Sequence, residues 1–92
     1  MKKLYAYKLD CGRMGEVEGL FVAEEAIIMA ALGRTVYFGE ILGKHSEIVA
    51  DLDINHLTVK SEDPEFILKL VEIIGSEHIS GYNPLDYIEE EE

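Results

Sequence analysis

The chain has one cysteine, Cys11, and no tryptophan among its 92 residues. A single cysteine excludes an internal disulfide framework. Without a signal-peptide pattern at its start, the chain fits a reducing cytoplasm. No apolar run approaches the ~20 residues that a membrane-spanning helix needs. The three histidines, His45, His56 and His78, lie far apart. No Cys-x-x-Cys or His-x-x-x-His pair is present, so the close ligand spacing of common zinc sites is missing. We therefore expect no metal and no cofactor.

Positive charge is also scarce. Eight Lys and Arg face nineteen Asp and Glu, a formal net charge of -11. The deficit is unevenly placed. Residues 1–46 hold six acids and six bases, whereas residues 47–92 hold thirteen acids and only Lys60 and Lys69. Such a field repels nucleic acid and anionic membrane and favours a basic partner. Direct nucleic-acid binding is not expected.

What is present is an ordinary apolar content of 48%. That suits one globular domain, expected over 1–88, with an acidic tail over 89–92. Lys3–Leu9 alternates, with Leu4, Ala6 and Lys8 on one side and Tyr5, Tyr7 and Leu9 on the other. This reads as a strand. A Gly-rich turn, Cys11-Gly12-Arg13-Met14-Gly15, leads to a second strand over Glu16–Val22, with Gly19 a candidate bulge.

Ala23–Leu32 reads as a helix, with Glu24 and Glu25 favouring its N-terminal dipole and Gly33 its stop. Thr35–Leu42 and Glu47–Asp53 read as a hairpin, and His56–Lys60 as a further strand. The second helix has the clearest start. Asp63 caps and Pro64 sits at the first helical position, where its missing N–H costs nothing. Gly75 closes it, and His78–Ser80 follows as a short edge strand.

The order is β-β-α-β-β-β-α-β. It predicts an α+β two-layer sandwich: a mostly antiparallel sheet with both helices on one face. Repeated strand–helix alternation is missing, which argues against a doubly wound nucleotide fold. The expected core includes Ile27, Leu32, Phe66, Leu70 and Ile74.

Three polar turns are candidate sites. The hairpin tip Gly43-Lys44-His45-Ser46 places a cation, an imidazole and a hydroxyl in a row. Turn N–H groups beside glycine can line an anion-binding concavity. A P-loop is excluded, because its first glycine, long loop and following helix are missing. The second turn holds Arg13 between glycines, placed for bidentate contacts to phosphate or carboxylate. The third is Gly81-Tyr82-Asn83-Pro84, where Tyr82 offers a face and Asn83 a polar edge. Tyr37 would add a second aromatic face and Glu40 a polar reader. No catalytic residue is assigned. His45 and Ser46 are adjacent, so in extended chain they point to opposite sides and make a poor nucleophile–base pair.

At Tyr37-Phe38-Gly39-Glu40, Leu42-Gly43-Lys44-His45-Ser46-Glu47 and Ser80-Gly81-Tyr82-Asn83-Pro84-Leu85-Asp86-Tyr87, the chain resembles a group of short phage and mobile-element proteins. The resemblance implies a setting rather than a chemistry: an accessory factor that blunts host defence in the host cytoplasm. Such factors occupy a host protein or bind a nucleotide immune signal.

Two expectations follow. The first is a non-catalytic protein that sequesters a small anionic, nucleotide-like ligand. Arg13, Lys44, His45 and Ser46 would hold the charge, with Tyr37, Glu40, Tyr82 and Asn83 around it. Its site would close within one chain or across a homo-oligomer interface. The second is an acidic inhibitor that docks, as a DNA mimic, on a basic host protein.

Overall fold

The structure is a computed structural model, and the residues described are 1–43 and 47–88. Strands β1 (Lys2–Asp10) and β2 (Glu16–Glu24) form an antiparallel hairpin with Tyr5 opposite Phe21 and Leu4 opposite Val22. Helix α1 (Glu25–Ala31) follows directly. A second hairpin joins β3 (Thr35–Gly39) to β4 (Ile48–Asp51). Strand β5 (Leu57–Ser61), helix α2 (Pro64–Ile74) and strand β6 (His78–Gly81) complete the fold. The main sheet has the order β5-β1-β2-β6, and β3-β4 is a separate two-stranded sheet. All the pairings are antiparallel.

The α+β class, the element order and the antiparallel pairing agree with the sequence reading. The helix placement differs. Alternation along β1 and β2 sends odd residues to one face and even residues to the other. Tyr5, Tyr7, Leu9, Val17, Phe21 and Ala23 pack with Ile28 and Ala31 of α1 and with the β3-β4 hairpin. Leu4 and Val22 pack instead with Ile67 of α2. The helices thus cover opposite faces, because β1 and β2 carry large apolar residues on both sides.

The odd face is the main core. Val17, Phe21 and Val36 are wholly buried, and Tyr5 stacks on Phe21 at 5.8 Å between ring centres. The even face is covered only in part. α2 leaves β5 after Ser61, which pairs with Leu4. It delivers the chain to β6, where the carbonyl of Glu77 accepts from Val22 N–H. The helix therefore crosses the sheet from edge to edge over the Leu4–Val22 row. Eleven residues give about 16 Å of helix, and four strands are about 14 Å across, so the lengths match.

The ends of α2 follow their sequence signals. Asp63 Oδ1 accepts from Glu65 N–H at 3.0 Å and from Phe66 N–H at 3.5 Å. Gly75 adopts the left-handed conformation with φ 80°. Gly19 is not a bulge. It pairs in register with Tyr7, and a Cβ there would lie 1.8 Å from the Tyr82 carbonyl oxygen. Glycine at this position lets the chain after β6 cross β2 at backbone distance.

The predicted core is corrected at both helices. Ile27 is 55% exposed, Phe66 49% and Ile74 47%. Leu32 and Leu70 are half-buried. Of the residues read at core spacing in α2 (Phe66, Ile67, Leu70, Val71 and Ile74), Ile67 is buried and Leu70 and Val71 pack beside it, whereas Phe66 and Ile74 stay exposed.

Candidate functional site

Lys44, His45 and Ser46 lie outside the described residues. Arg13 is exposed in a 3-10 turn over Gly12–Met14, between glycines at φ 65° and φ 113°. Asp10 closes that turn by accepting from Gly12 N–H at 2.8 Å. Tyr37 is on the outer side of β3, and Glu40 is exposed just beyond it.

Tyr82 and Asn83 serve the fold. The Tyr82 ring meets Phe38 at 6.0 Å and Tyr87 at 6.1 Å. Asn83 Oδ1 accepts from Leu85 N–H at 3.0 Å, capping the 3-10 turn Pro84–Tyr87. An Ile88–Val36 bridge then fastens this segment to β3. Among the described residues, no hydrogen bond, ion pair or ring contact joins Arg13 or Glu40 to Tyr82 or Asn83.

The sheet offers another surface, which the sequence reading missed. Beyond α2, the even face stays open as a concavity of about 540 Å³. Ala6 and Leu20 form its floor, Thr58 and Ser80 flank them, and Lys8 and Lys60 carry its positive charge. Glu18 sits opposite Lys8 in the ladder.

α2 crosses the same face of the sheet over Leu4 and Val22, and none of its residues lines the concavity. Its other side, with Pro64, Leu68 and Val71, lines an apolar groove with Met1 at the start of β1. Phe66 and Ile73 lie on the opposite flank of the helix. Ile73 is 80% exposed. The outermost ridge carries Glu65, Lys69 and Glu72, spaced to share one side of a helix. The available sequence signal was the wide apolar arc of α2, which leaves only the Glu65, Lys69 and Glu72 ridge polar.

The local electrostatics separate paired from unpaired charge. Lys3 bridges Glu25 and Glu62, the latter at 2.8 Å, and these bonds hold its ammonium well above the usual lysine range. The same contact holds the Glu25 carboxyl below its ordinary value. Lys2 meets Glu77 at 2.6 Å. Glu65, Glu72, Lys60 and Lys69 have no ion-pair partner among the described residues.

Two further polar atoms lie inside the odd face. The Tyr7 hydroxyl and His56 Nδ1 are buried with no hydrogen-bond partner among the described residues. Burial pushes the Tyr7 hydroxyl up to about 12. Burial, then Asp10, also pushes the Cys11 thiol up, which keeps it protonated near neutral pH. Among the described residues, no group of three His, Cys, Asp or Glu is placed to hold a metal ion. No helix among them is long and apolar enough to cross a membrane. No family model, curated protein or solved structure matches the chain.

Proposed function

We propose that the chain is a non-catalytic interaction protein that engages a protein partner through the step between α2 and the open half of the sheet. The observation that carries this reading is the exposed Phe66–Ile73 flank of a helix that crosses a sheet face left partly uncovered. Burying one such large side chain is worth about 1.5–3 kcal/mol, so two at the centre of a contact supply a useful anchor. The unpaired Glu65 and Glu72 above them call for a partner with cations at the rim. This agrees with the acidic second half of the chain. The protonated Cys11 thiol supports a non-catalytic role. The resemblance to short phage proteins makes a host defence component the first outside partner to test.

The small-anion reading keeps one specific support. Lys8 and Lys60 share the 540 Å³ concavity with the Thr58 and Ser80 hydroxyls. Glu16, 3.5 Å from the Lys8 ammonium, and Glu18 weaken that support by offsetting its charge.

Photocrosslinking tests the proposal. Benzoyl-phenylalanine in place of Ile73, in cells that produce the protein, should give a discrete protein adduct. The same probe in place of Val49, which is 51% exposed on the β3-β4 hairpin, should give none. An Ile73 probe that forms no adduct overturns the interaction reading. Nucleotide binding lost on Lys8→Ala with Lys60→Ala would favour the small-anion reading.

A further inference from the structure

We infer that the apolar groove between α2 and the start of β1 is a docking site for a basic amphipathic helix of a partner protein. The inference goes beyond the reading above, because this groove and the Phe66–Ile73 flank lie on opposite sides of α2. Met1 and Lys2 form one wall of the groove, and Pro64, Ile67, Leu68 and Val71 form the other. Its volume is about 450 Å³, and every lining residue except Lys2 is apolar. That size and lining suit a recognition pocket. The lips are large side chains left in the open: Leu68 is 61% exposed and Met1 71%.

Charge defines the occupant. On the strand side the cation is already engaged, since Lys2 meets Glu77 at 2.6 Å. On the helix side the acids are not. At about 100° per residue, Glu72 and Glu65 lie about 40° and 60° round from Leu68, away from the sheet. Lys69 lies about 100° round, behind them. A body seated in the groove therefore meets two carboxylates before it meets the lysine. Glu65 and Glu72 are exposed and have no ion-pair partner among the described residues.

The spacing of the two acids selects a helix. Two turns of α2 separate them by about 10.5 Å along its axis. A second helix running beside α2 repeats its own side at the same interval, with cations at i and i+7. An extended strand repeats a side at about 6.7 or 13 Å and misses one of the two. Apolar residues at i+3 and i+4 of the docked helix then face Leu68 and Val71, in the helix-in-groove manner. A second copy of the chain does not supply this helix. α1 carries no Lys or Arg, and α2 carries Lys69 alone. The net charge of -11 draws a basic partner in from longer range.

A synthetic helix gives the test. The probe is a stapled peptide of about 15 residues, long enough to hold a helix, with leucine along one side and lysine at i and i+7 beside it. The control carries glutamate in place of both lysines. Fluorescence anisotropy should show saturable binding of the basic helix to the wild-type chain and none of the acidic control. Glu65→Gln with Glu72→Gln should weaken binding about three- to tenfold, as two exposed ion pairs would, and should flatten its salt dependence. Leu68→Ser should weaken it about tenfold or more, because the leucine no longer contributes buried apolar area. Amide signals of residues 1–3 and 64–72 should shift in NMR spectra as the probe is added. Circular dichroism checks that both variants, substituted only at exposed positions, keep the fold.

A basic helix that does not saturate, that binds no better than the acidic control, or that binds both variants as tightly as the wild type overturns the inference. Shifts centred on Phe66 and Ile73, or on Lys8 and Lys60, also overturn it by placing the helix elsewhere. A chain that light scattering shows to be a dimer, and that Leu68→Ser makes monomeric, assigns the groove to a second copy and overturns it too. The Ile73 crosslink reads the other flank of α2, so the groove and the interaction reading above fail separately.

Discussion

The two faces of the four-stranded sheet are built from the same two strands and have different fates. The odd face is sealed by α1 and by a whole hairpin, and its central side chains are wholly buried. The even face receives a single crossing helix that buries Leu4, Val22 and Ile67, half-covers Leu20 and Ile79, and leaves a concavity beyond. Stability resides mainly on the first face. The second retains apolar side chains that the isolated fold does not use. A sheet face covered over half its length anchors its helix and still leaves room for another chain.

This contrast can be broken by paired truncations. Phe21→Ala on the sealed face should cost about 3–5 kcal/mol, because a large ring leaves a cavity that its neighbours cannot fill. Ile67→Ala on the open face should cost about 2 kcal/mol, the low end for its type, since α2 can settle onto the sheet. Urea unfolding of the two variants measures both. Equal losses would show that the two faces are equally packed.

A smaller effect concerns the polar atoms sealed into the odd face. Tyr7→Phe removes a buried hydroxyl that has no hydrogen-bond partner among the described residues, and should raise stability by about 1 kcal/mol at neutral pH. Alkaline pH tests the same site. The Tyr7 hydroxyl is pushed up to about 12 in the folded chain, above its ordinary value of 10. The folded state therefore holds this proton more tightly than the unfolded state. Stability from this group is full below pH 10 and falls as pH rises from 10 towards 12. Tyr5, also raised by burial, adds to the fall in the same direction. Unfolding curves across that window should be less steep in pH for Tyr7→Phe than for the wild type.

The smallest expected effect sharpens the comparison most. Ile73→Ser should change the stability of the dilute chain by less than about 0.5 kcal/mol, as for other exposed positions. A large loss in the dilute chain would mean that Ile73 belongs to the core.

Much of the architecture was legible because its punctuation is local. Asp63-Pro64 and Gly75 bracket α2, and Gly12 and Gly15 mark the first turn. The helix faces were not legible for a physical reason. α2 carries Phe66, Ile67, Leu68, Leu70, Val71, Ile73 and Ile74 among eleven residues, so apolar periodicity admits several inward stripes. The apolar set Phe66, Ile67, Leu70, Val71 and Ile74 spans a wide arc, and the pattern alone does not say that Ile67 sits at its centre and Phe66 and Ile74 at its exposed margins. The two-sided apolar pattern of β1, with Leu4 against Tyr5 and Tyr7, held the missing information, since a strand apolar on both sides needs cover on both. The step was hidden for a different reason. Lys8, Glu18, Lys60, Thr58 and Ser80 come from four strands, and only the register places them together.

The edge-to-edge course of α2 also bears on the order in which the chain assembles. β1 and β2 are joined by residues 11–15 alone and share nine cross-strand pairs. A hairpin of this kind closes in about 1–10 μs. The outer strands come from far along the chain: Tyr7 waits for Leu57, and Gly19 for Gly81. Those long closures delay the reward of non-local pairing and set the pace of folding. α2 carries the chain between the two edges, so β5 and β6 are linked in time as well as in space. The central hairpin should then form first, and amide hydrogens of β5 and β6 should exchange ahead of those that join β1 to β2.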